Sequence, residues 1–337
     1  MINRLLIVGV GSIGMRHLRL GRSLLPDADI RVLRREASAN TPAHADGCFT
    51  RIEQAVDFSP QLSVIATPAP FHMQAAISLA KAGSHLLIEK PLASSLPELS
   101  PFIALLREKR PVVLTGYNLR FLPSLQKFRE MFEAGVVGNA LSVRCEVGQY
   151  LPSWRPDADY RVGVSARRAL GGGVLLELSH ELDYLQWIFG DASWVRATLR
   201  KQSDLEIDVE DSAHMIIGFA PKNGASEVVG SASLDFLRHD TTRQCTVIGE
   251  NGSLRWNGIT GTVELLGAGG NAWTEMYRHD APRDFSYEAE WLHLLECIEK
   301  GQPPLVSFED GERVLRLIDA ARRSDRASGA QVNLEQS

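Results

Sequence analysis

This sequence has few cysteines, and none of them form a recognisable site. There are four cysteines in 337 residues. They are Cys48, Cys145, Cys245 and Cys297. No two lie close enough along the chain to suggest a zinc site or a redox pair. We therefore expect no metal and reduced thiols buried in the core.

A basic surface and a long N-terminal apolar run are also missing. The formal net charge is −5, without any long run of lysine and arginine. That balance gives no electrostatic basis for binding a phosphate backbone or an anionic membrane, so we expect no nucleic acid partner. The first apolar run, Leu5 to Val10, ends in a glycine turn and is too short for a signal peptide or a spanning helix. We therefore expect a cytoplasmic protein that does not associate with membranes.

The composition is that of a globular chain with room for two domains. The sequence is 44% hydrophobic and 23% charged, which is enough to bury a full core. Up to about residue 119, β-branched runs alternate with helical stretches, which is typical of a parallel sheet wound with helices. The predicted strands are Leu5–Gly9, Ile30–Leu33, Leu62–Ala66, His85–Ile88 and Val112–Thr115, and the predicted helices are Gly14–Leu25, Phe71–Ala82 and Leu96–Lys109. The sequence therefore predicts an α/β fold that begins with a doubly wound Rossmann domain over residues 1–119.

From residue 120 onward the pattern changes. One more helix, Leu122–Ala134, is followed by longer alternating runs separated by Gly, Asn and Pro turns. These runs are Leu141–Tyr150, Ser212–Ala220, Glu227–Phe236, Cys245–Gly249 and Val263–Leu266. Two helices, Ser286–Lys300 and Phe308–Ser324, close the chain. We therefore expect an α+β domain over residues 120–337, with a large, mostly antiparallel open sheet and a helical tail, for substrate binding and oligomerisation.

The strongest local motif is Gly9-Val10-Gly11-Ser12-Ile13-Gly14, which follows a buried strand and opens a helix. Gly9 allows a tight turn, Gly11 lets the backbone approach a pyrophosphate, and Gly14 lets the helix pack closely on the strand. The anion then rests on the helix N-terminus. This context predicts a dinucleotide site, and a glycine-rich turn without a ligand is the alternative.

The choice between NAD and NADP depends on the end of the second strand. An acid about twenty residues after the glycine motif would hold the ribose 2′-hydroxyl of NAD. That place falls in Leu33-Arg34-Arg35-Glu36. Because an arginine suits a 2′-phosphate, we favour NADP, while Glu36 keeps NAD open. The alternative is that Arg34 and Arg35 are only the solvated end of a strand.

Polar residues also follow the third predicted strand. Thr67 and Pro68 come directly after it and lead through His72 into a helix. Ligands bind along the carboxyl edge of the strands in open α/β sheets, so these residues are candidates for cofactor contacts. For His72, packing at the start of the helix is favoured over a catalytic role.

The next strand ends in Glu89-Lys90-Pro91, so a lysine emerges from the same edge. Lys90 can donate to a substrate oxygen and, if burial lowers its pKa, exchange a proton. Pro91 fixes the backbone at that turn. An exposed turn is the alternative.

Taken together, these motifs resemble those of the glucose-fructose oxidoreductase, inositol dehydrogenase and rhizopine-catabolism family (Gfo/Idh/MocA). The resemblance extends over essentially the whole chain. It includes Gly9–Gly14, Ala66-Thr67-Pro68 with His72, Glu89-Lys90-Pro91-Leu92, Asn118, Arg120-Phe121, Gly135–Gly138, Gly171-Gly172-Gly173 with His180 and Asp183, and Val247–Leu254. It implies an NAD(P)-dependent sugar dehydrogenase, in a family that usually makes dimers or tetramers through its second-domain sheet. We accordingly expect a homodimer or a homotetramer.

The motifs and the resemblance together identify the residues expected to bind the cofactor. These are Gly9, Gly11, Ser12, Ile13, Gly14, Arg34, Arg35, Thr67, Pro68, His72, Glu89, Lys90, Pro91 and Asn118.

The resemblance also implies that His180 is the proton acceptor. The spacing departs from the family pattern, because His180 comes one place early after Gly173 and the preceding acid, Glu177, is three rather than four residues before it. Either spacing places the acid and the imidazole on one helical face. Asp183, three residues after His180, is the other candidate to orient the ring, and both acids stay open. The alternative is that His180 has no catalytic role and that its hydrogen bonds are satisfied within the helix.

The implied reaction is hydride transfer between C4 of the nicotinamide and a carbinol carbon, with proton transfer at the attached oxygen. A base with a pKa of about 7 is most efficient for that proton, which favours His180 as base and Lys90 as hydrogen-bond donor. The residues expected to be catalytic are Lys90, His180, Glu177 and Asp183. We expect Lys90 and His180 to converge on one oxygen beside the nicotinamide.

A long polar and aromatic segment, residues 149–168, precedes the triple glycine. Flat rings stack on sugar faces, and arginine forks match carboxylates or phosphates. The segment resembles that of family members associated with bacterial surface-polysaccharide and nonulosonic-acid pathways, so we predict a sugar nucleotide or an acidic amino sugar as substrate. A surface loop or subunit contact is the alternative. The expected substrate contacts are Lys90, Arg120, Trp154, Arg155, Tyr160 and His180.

Two other functions use the same fold. NAD-dependent glycosidases of the family oxidise C3 transiently, eliminate the glycoside and then reduce the sugar. A regulatory protein would bind the dinucleotide only as a signal. The presence of both Lys90 and His180 argues against a regulator, since a sensor needs neither.

Overall fold

The computed structural model describes residues 2–35, 40–220, 226–280 and 282–334. The chain divides into two compact units. The first unit comprises Met1–Tyr117 and Tyr287–Leu315, and the second comprises Asn118–Ser286 and Arg316–Ser337. Each unit has a sheet of its own.

Six parallel strands form the sheet of the first unit. They are β1 (Arg4–Val8), β2 (Asp29–Leu33), β3 (Gly47–Phe49), β4 (Leu62–Ile65), β5 (His85–Ile88) and β6 (Val113–Thr115), in the spatial order β3-β2-β1-β4-β5-β6. Strands buried on both faces consist of continuous apolar residues, and Leu5, Leu6 and Ile7 have no exposed surface. The order reverses between β1 and β4, which creates the crevice where dinucleotides bind in Rossmann folds. The predicted fold is confirmed, and β3 is an additional edge strand too short to leave a pattern in the sequence.

Helices connect these strands. They are α1 (Ser12–Leu24), α2 (Ile52–Asp57), α3 (His72–Lys81) and α4 (Ser100–Lys109). In α1 the residues Gly14, His17, Leu18 and Gly21 are buried, at the spacing of one helical face. That face places an imidazole, rather than an aliphatic chain, in the interior of the first unit.

Nine strands form the sheet of the second unit. They are β7 (Ala140–Gly148), β8 (Ala192–Arg200), β9 (Ser212–Phe219), β10 (Val228–Asp235), β11 (Thr242–Gly249), β12 (Gly252–Asn257), β13 (Thr262–Gly267), β14 (Thr274–Arg278) and β15 (Val332–Asn333), in the order β14-β13-β12-β11-β7-β10-β9-β8-β15. Neighbouring strands are antiparallel except β7 and β10, which are parallel. The predicted large, mostly antiparallel sheet is confirmed.

Helices cover one face of this sheet. They are α5 (Pro123–Glu133), α6 (Val174–Glu177) and α7 (His180–Phe189). The indole Nε1 of Trp256, on β12, donates to Ser124 Oγ at 3.0 Å, and the ring of Tyr184 meets Trp256 edge-on with centroids 5.4 Å apart. Along β10, buried Ala232 alternates with exposed Ser231, which is the pattern of a sheet with one covered and one solvated face.

The last part of the chain returns to the first unit. Helix α8 (Phe285–Lys300) belongs there from Tyr287 onward, and α9 (Phe308–Arg326) belongs there up to Leu315. Trp291 is fully buried, and the backbone N–H of Thr115 donates to the carbonyl of Val306 at 3.0 Å. The expected boundary near residue 119 assigns this whole tail to the second domain. The structure differs because apolar side chains of residues 287–315 fill the core of the first unit.

Two kinds of feature are missing from the residues that the structure describes. No helix among them combines the length and the apolar character needed to cross a membrane. No group of three or more His, Cys, Asp or Glu side chains is placed to hold a metal ion in the same described ranges. The four cysteines are free thiols, and burial raises the pKa of Cys145 and of Cys245, which face each other across β7 and β11.

Candidate active site

The glycine motif forms a cradle at the end of β1. Gly9 has a φ of +93°, and a Cβ there would lie 2.8 Å from the carbonyl oxygen of Ala66. A Cβ on Gly14 would lie 2.0 Å from the carbonyl oxygen of Gly9, so helix and turn pack too closely for any side chain. A Cβ on Gly11, in contrast, would meet nothing within 4 Å. Gly11 precedes α1, whose first N–H groups have no acceptor within the helix. A pyrophosphate therefore fits this open cradle.

Two arginines lie at the end of β2. The guanidinium of Arg34 donates from Nη2 to the carbonyl of Asn40 at 2.9 Å. The guanidinium carbon of exposed Arg35 lies 4.1 Å from the ring centroid of Phe71. Glu36, the acid for which NAD was left as an alternative cofactor, lies outside the described residues.

The loop after β4 is tied to the turn after β5 by a histidine. Nε2 of His72 lies 2.6 Å from the carbonyl oxygen of Thr67, and Nδ1 lies 3.1 Å from that of Pro91. His72 is 1% exposed, and burial lowers its pKa. This placement supports the packing interpretation of His72. The hydroxyl oxygen of Thr67, which is followed by Pro68 in the same loop, is buried without a hydrogen-bond partner in the described structure. That hydroxyl can serve a ligand.

Lys90 follows β5 at the carboxyl edge of the sheet and is half-buried. Its backbone N–H donates to Oε2 of Glu89 at 3.1 Å. Glu89 itself is 6% exposed, and its Oε1 lies 2.7 Å from Nε2 of His17. Burial acts to raise the pKa of Glu89, but the hydrogen bond from His17 and the nearby charge of Lys90 outweigh it, so the pKa is lowered. The residue before the lysine is thus a buried carboxylate.

Sequence reasoning missed the residues behind this turn. Nε1 of Trp291, on α8, donates to Nδ1 of His17 at 2.9 Å. The only feature of the sequence that could have identified His17 is its place three residues after Gly14, on the buried face of α1. Nothing in the sequence indicates that a tryptophan 274 residues away would contact it.

In the second unit, a glycine turn leads into the helix that carries His180. Gly173 has a φ of +105°, a backbone conformation that L side chains rarely adopt, which explains a glycine at that place. Glu177, the last residue of α6, accepts a hydrogen bond from Ser165 Oγ at 2.6 Å. His180 is the first residue of α7 and is half-buried.

Two acids in the first turn of α7 are paired with arginines. Asp183 accepts two hydrogen bonds from Arg120, one from Nε at 2.9 Å and one from Nη2 at 2.6 Å, and both residues are buried. Glu181 has no exposed surface and accepts from Nε of Arg243 at 2.8 Å. The sequence predicted that Arg120 contacts the substrate and left Asp183 and Glu177 as alternative partners of His180. The structure brings Arg120 and Asp183 together, in the bidentate geometry of a strong ion pair.

The segment predicted to contact the substrate is irregular, with short 3₁₀ turns. Trp154 donates from Nε1 to the carbonyl of Gln149 at 3.0 Å and meets the ring of Phe236 edge-on. The hydroxyl of Tyr160 accepts from the backbone N–H of Glu206 at 3.2 Å, and Arg155 is exposed. Asn118, predicted to contact the cofactor, is buried and donates to Ser286 Oγ at 2.8 Å.

Comparison with known proteins agrees with this architecture. A family model described as "Oxidoreductase family, NAD-binding Rossmann fold" matches residues 3–117, and one described as "Oxidoreductase family, C-terminal alpha/beta domain" matches residues 129–334. The myo-inositol 2-dehydrogenase of Thermotoga maritima is 29% identical over 263 residues, which are 75% of this chain and 74% of that protein. The relatives therefore include a dehydrogenase of a polyhydroxylated ring.

Solved structures share the whole fold. A levoglucosan dehydrogenase in complex with NADH superposes with a TM-score of 0.86 at 22% identity, covering 99% of both chains. The WlbA dehydrogenase of Bordetella pertussis, in complex with NADH and UDP-GlcNAcA, superposes with a TM-score of 0.81 at 21% identity, covering all of both chains. The two family models together span most of the sequence, and the resemblance first seen in the motifs is confirmed. This chain belongs to the Gfo/Idh/MocA family of NAD-binding oxidoreductases.

Proposed function

We propose that this oxidoreductase is an NAD(P)-dependent dehydrogenase that transfers a hydride between nicotinamide and a carbinol carbon of a sugar, a sugar acid or a sugar nucleotide. One observation carries the proposal: a cradle shaped for pyrophosphate and the half-buried Lys90 lie at the same carboxyl edge of the first unit's sheet. Dinucleotides bind along that edge in Rossmann folds. Membership of an NAD-binding oxidoreductase family supports it.

The first unit would hold the cofactor. The first N–H groups of α1, from Ser12 to Gly14, face the open space at Gly11 and would bind the pyrophosphate. The buried hydroxyl of Thr67 would donate to the same ligand. When bound, the nicotinamide supplies the hydride acceptor or donor.

Lys90 and His180 would handle the substrate oxygen. An ammonium on the Lys90 turn, backed by the Glu89 carboxylate, is suited to donate a hydrogen bond to that oxygen. An imidazole titrates near neutral pH and is suited to accept the proton. Asp183, paired with Arg120, would fix the helix that begins at His180 rather than exchange protons itself.

NADP is the favoured cofactor. The guanidinium of Arg35 is exposed at the end of β2, where the ribose 2′ position is recognised in this fold. Its stacking on Phe71 limits its motion, which lowers the entropy cost of holding a phosphate.

An anionic sugar is the favoured substrate, in a reaction of surface-polysaccharide biosynthesis. Exposed Arg155, in the aromatic segment, can pair with a carboxylate or a phosphate. The structural relative that was solved with UDP-GlcNAcA offers a precedent for such a substrate in this fold.

A parallel screen tests the reaction class. Sugar nucleotides, sugar acids and neutral sugars are each supplied with NAD and with NADP, and turnover is read at the nicotinamide absorbance. We expect Lys90→Met and His180→Ala to lower kcat about 100-fold to 10,000-fold, while reduced dinucleotide still binds within a few-fold of wild type. Lys127→Met, on the exposed face of α5, is the matched control and should keep full activity. Full activity of His180→Ala on the true substrate would sink the assignment of the base.

The same screen separates the other functions. Free sugar released without added cofactor would indicate a glycosidase with transient oxidation. Dinucleotide binding without turnover of any sugar would indicate a regulator.

Cofactor choice and substrate charge are tested by arginine variants. We expect Arg35→Ala to weaken NADPH binding about tenfold, or about 1.4 kcal/mol, and to leave NADH binding unchanged. Arg107→Ala, on the exposed side of α4, is the control. Arg155→Ala should raise the KM for the anionic substrate alone. An equal effect on neutral and anionic sugars would remove the proposed role of Arg155.

We also propose that the chain forms a homodimer or a homotetramer through the uncovered face of the nine-stranded sheet. That face carries Ile216 at 47% and Val229 at 38% exposure, on the neighbouring strands β9 and β10. Light scattering at working concentration decides the point, and a monomer would refute it.

A further inference from the structure

Three side chains form a buried chain behind the Lys90 turn. Trp291 donates from Nε1 to Nδ1 of His17 at 2.9 Å, and Nε2 of His17 lies 2.7 Å from Oε1 of Glu89. His17 and Trp291 have no exposed surface. All three belong to the first unit, together with Lys90. Neither His17 nor Trp291 takes part in the chemistry proposed above.

The hydrogen bonds determine the tautomer of His17. An indole N–H only donates, so Nδ1 of His17 must be the acceptor. A neutral imidazole then carries its proton on Nε2, which donates to Glu89 Oε1. A protonated Glu89 donating to Nε2 would leave the ring with no proton at all, so that arrangement is excluded. Trp291 therefore sets the direction of hydrogen-bond donation, from Trp291 to His17 and from His17 to Glu89.

This direction fixes the charge and the position of Glu89. Its Oε1 accepts from His17 and its Oε2 accepts from the backbone N–H of Lys90. With both oxygens accepting, Glu89 is a carboxylate held at two points. On the far side of the turn, the carbonyl of Pro91 contacts Nδ1 of His72. The backbone of Lys90 therefore lies between two anchored residues.

Other ionisable groups face this buried carboxylate. Burial raises the pKa of Glu290 well above its usual range, and the charge of Glu89 adds to the effect. Burial likewise raises the pKa of the Tyr287 phenol, and the charge of Glu89 again contributes. The guanidinium carbon of Arg16 lies 4.6 Å from the ring centroid of Tyr287. The negative charge of Glu89 thus acts on both neighbouring acids.

We propose that His17, with its tautomer set by Trp291, is a positioning residue for the Lys90 turn: it holds the Glu89 carboxylate, which in turn fixes the backbone of Lys90. The role in catalysis rests on the proposed dehydrogenase function. Displacement of a catalytic group by about 1 Å costs about 100-fold in rate, so an anchor of this kind acts on turnover more than on binding.

Three variants separate positioning from general stability. His17→Leu removes both hydrogen bonds. His17→Gln keeps an amide N–H for Glu89 and a carbonyl for the indole, and is the conservative rescue. His85→Leu is the matched control. Nδ1 of His85 also accepts a hydrogen bond, from the backbone N–H of Val112, but His85 lies at the opposite end of β5 from Lys90.

We expect His17→Leu to lower kcat about tenfold to 100-fold with less than about threefold change in the dissociation constant of reduced dinucleotide. His17→Gln should recover most of the rate. His85→Leu should lower the melting temperature and leave kcat unchanged. A merely structural role for His17 predicts instead that both leucine variants behave alike.

A second measurement needs neither cofactor nor substrate. Acetic anhydride labels lysines in the ligand-free protein, and mass spectrometry gives the rate at Lys90 relative to Lys127, whose side chain is 40% exposed. We expect His17→Leu to change that ratio at least about threefold, because the backbone that carries the Lys90 side chain loses its anchor, and His85→Leu to leave it unchanged. Nitrogen-15 NMR of labelled histidine should place the proton of His17 on Nε2.

The two hypotheses fail in different ways. If the wild-type protein turns over no sugar, the proposed function fails, while the labelling ratio and the NMR tautomer still decide the role of His17. A folded His17→Leu protein with wild-type turnover, an unchanged labelling ratio, or a proton found on Nδ1 would each overturn the positioning role.

Discussion

The two side chains proposed to act on the substrate oxygen are held in different ways. Lys90 follows Glu89, which a neutral imidazole anchors in the first unit. His180 begins α7 in the second unit, where Asp183 is paired with Arg120 and Glu181 with Arg243. The Lys90 turn is thus anchored by hydrogen bonds that run from Trp291 through His17 to the charged Glu89, whereas α7 is anchored by two ion pairs.

This difference has energetic consequences. The hydrogen bond between Trp291 and His17 joins two neutral groups and contributes about 0.5–1.5 kcal/mol, whereas removing one partner of a buried ion pair leaves an uncompensated charge and costs about 3–5 kcal/mol. We therefore expect the ion pairs of α7 to be more sensitive to single substitutions than the Trp291–His17 bond, and the first unit to be the more sensitive to pH.

The largest expected effect is on the Arg120–Asp183 pair. Arg120→Met should lower the free energy of unfolding by about 3–5 kcal/mol, because the carboxylate of Asp183, which is 1% exposed, would lose two hydrogen bonds and the opposite charge of Arg120. The double variant Arg120→Met with Asp183→Leu should lose less, since no charge is left behind. Urea denaturation gives both values, and a loss below about 1 kcal/mol in the single variant would contradict the buried-pair description.

A smaller effect is expected at Arg243. Its side chain is partly exposed, so water can reach the place that it leaves, but Glu181 has no exposed surface. Arg243→Met should cost about 2–3 kcal/mol by the same measurement. The control is Arg323→Met, which breaks an exposed pair with Asp319 and should cost less than about 0.5 kcal/mol. Equal losses in the two variants would remove the distinction between buried and exposed pairs.

Glu290 tests the pH sensitivity of the first unit. Its folded pKa is raised, so the unfolded chain gives up this proton first and wild-type stability falls as pH rises above about 4.3. Glu290→Gln cannot lose a proton, so its advantage over wild type should be absent near pH 4 and grow by about 1.4 kcal/mol per unit of the shift. Melting temperatures across this pH range check the sign. If the wild-type protein instead became more stable relative to Glu290→Gln as the pH rises, the raised pKa of Glu290 beside the Glu89 charge would be wrong.

The smallest expected effect is at Trp291. Trp291→Phe keeps an aromatic ring and removes the N–H that faces His17, so the free energy of unfolding should fall by about 1–2 kcal/mol. Denaturant unfolding measures the loss. A loss as large as that of Arg120→Met would show that the relay in the first unit is no weaker than the ion pair in the second.

Much of the first unit could be predicted because its chemistry is local in sequence. The Gly9–Gly14 pattern is confined to one turn, and the backbone geometry at Gly9 is what that pattern requires. Lys90 follows a clear apolar run, so its place at the sheet edge follows from strand direction alone. Strand β3 escaped prediction because three residues are too few to establish a period of two.

The predicted roles of the second unit's polar residues were less secure. A spacing of three residues allowed both Glu177 and Asp183 to face His180, and the sequence offered no means to choose. In the structure Glu177 accepts from Ser165, and Asp183 accepts from Arg120, 63 residues away. Helical spacing says which residues share a face, but not which distant side chain meets them.

The sequence by itself determined the alternation of strands and helices in the first unit apart from β3, the cradle for a dinucleotide and the emergence of Lys90 at a sheet edge, because each depends on neighbours along the chain. Only the tertiary structure decided that residues 287–315 return to the first unit, that Trp291 sets the tautomer of His17, and that Arg120 neutralises Asp183. These contacts join segments 63 to 274 residues apart, and their partners are selected by packing and by the cost of burying an unpaired polar group, which no local pattern encodes.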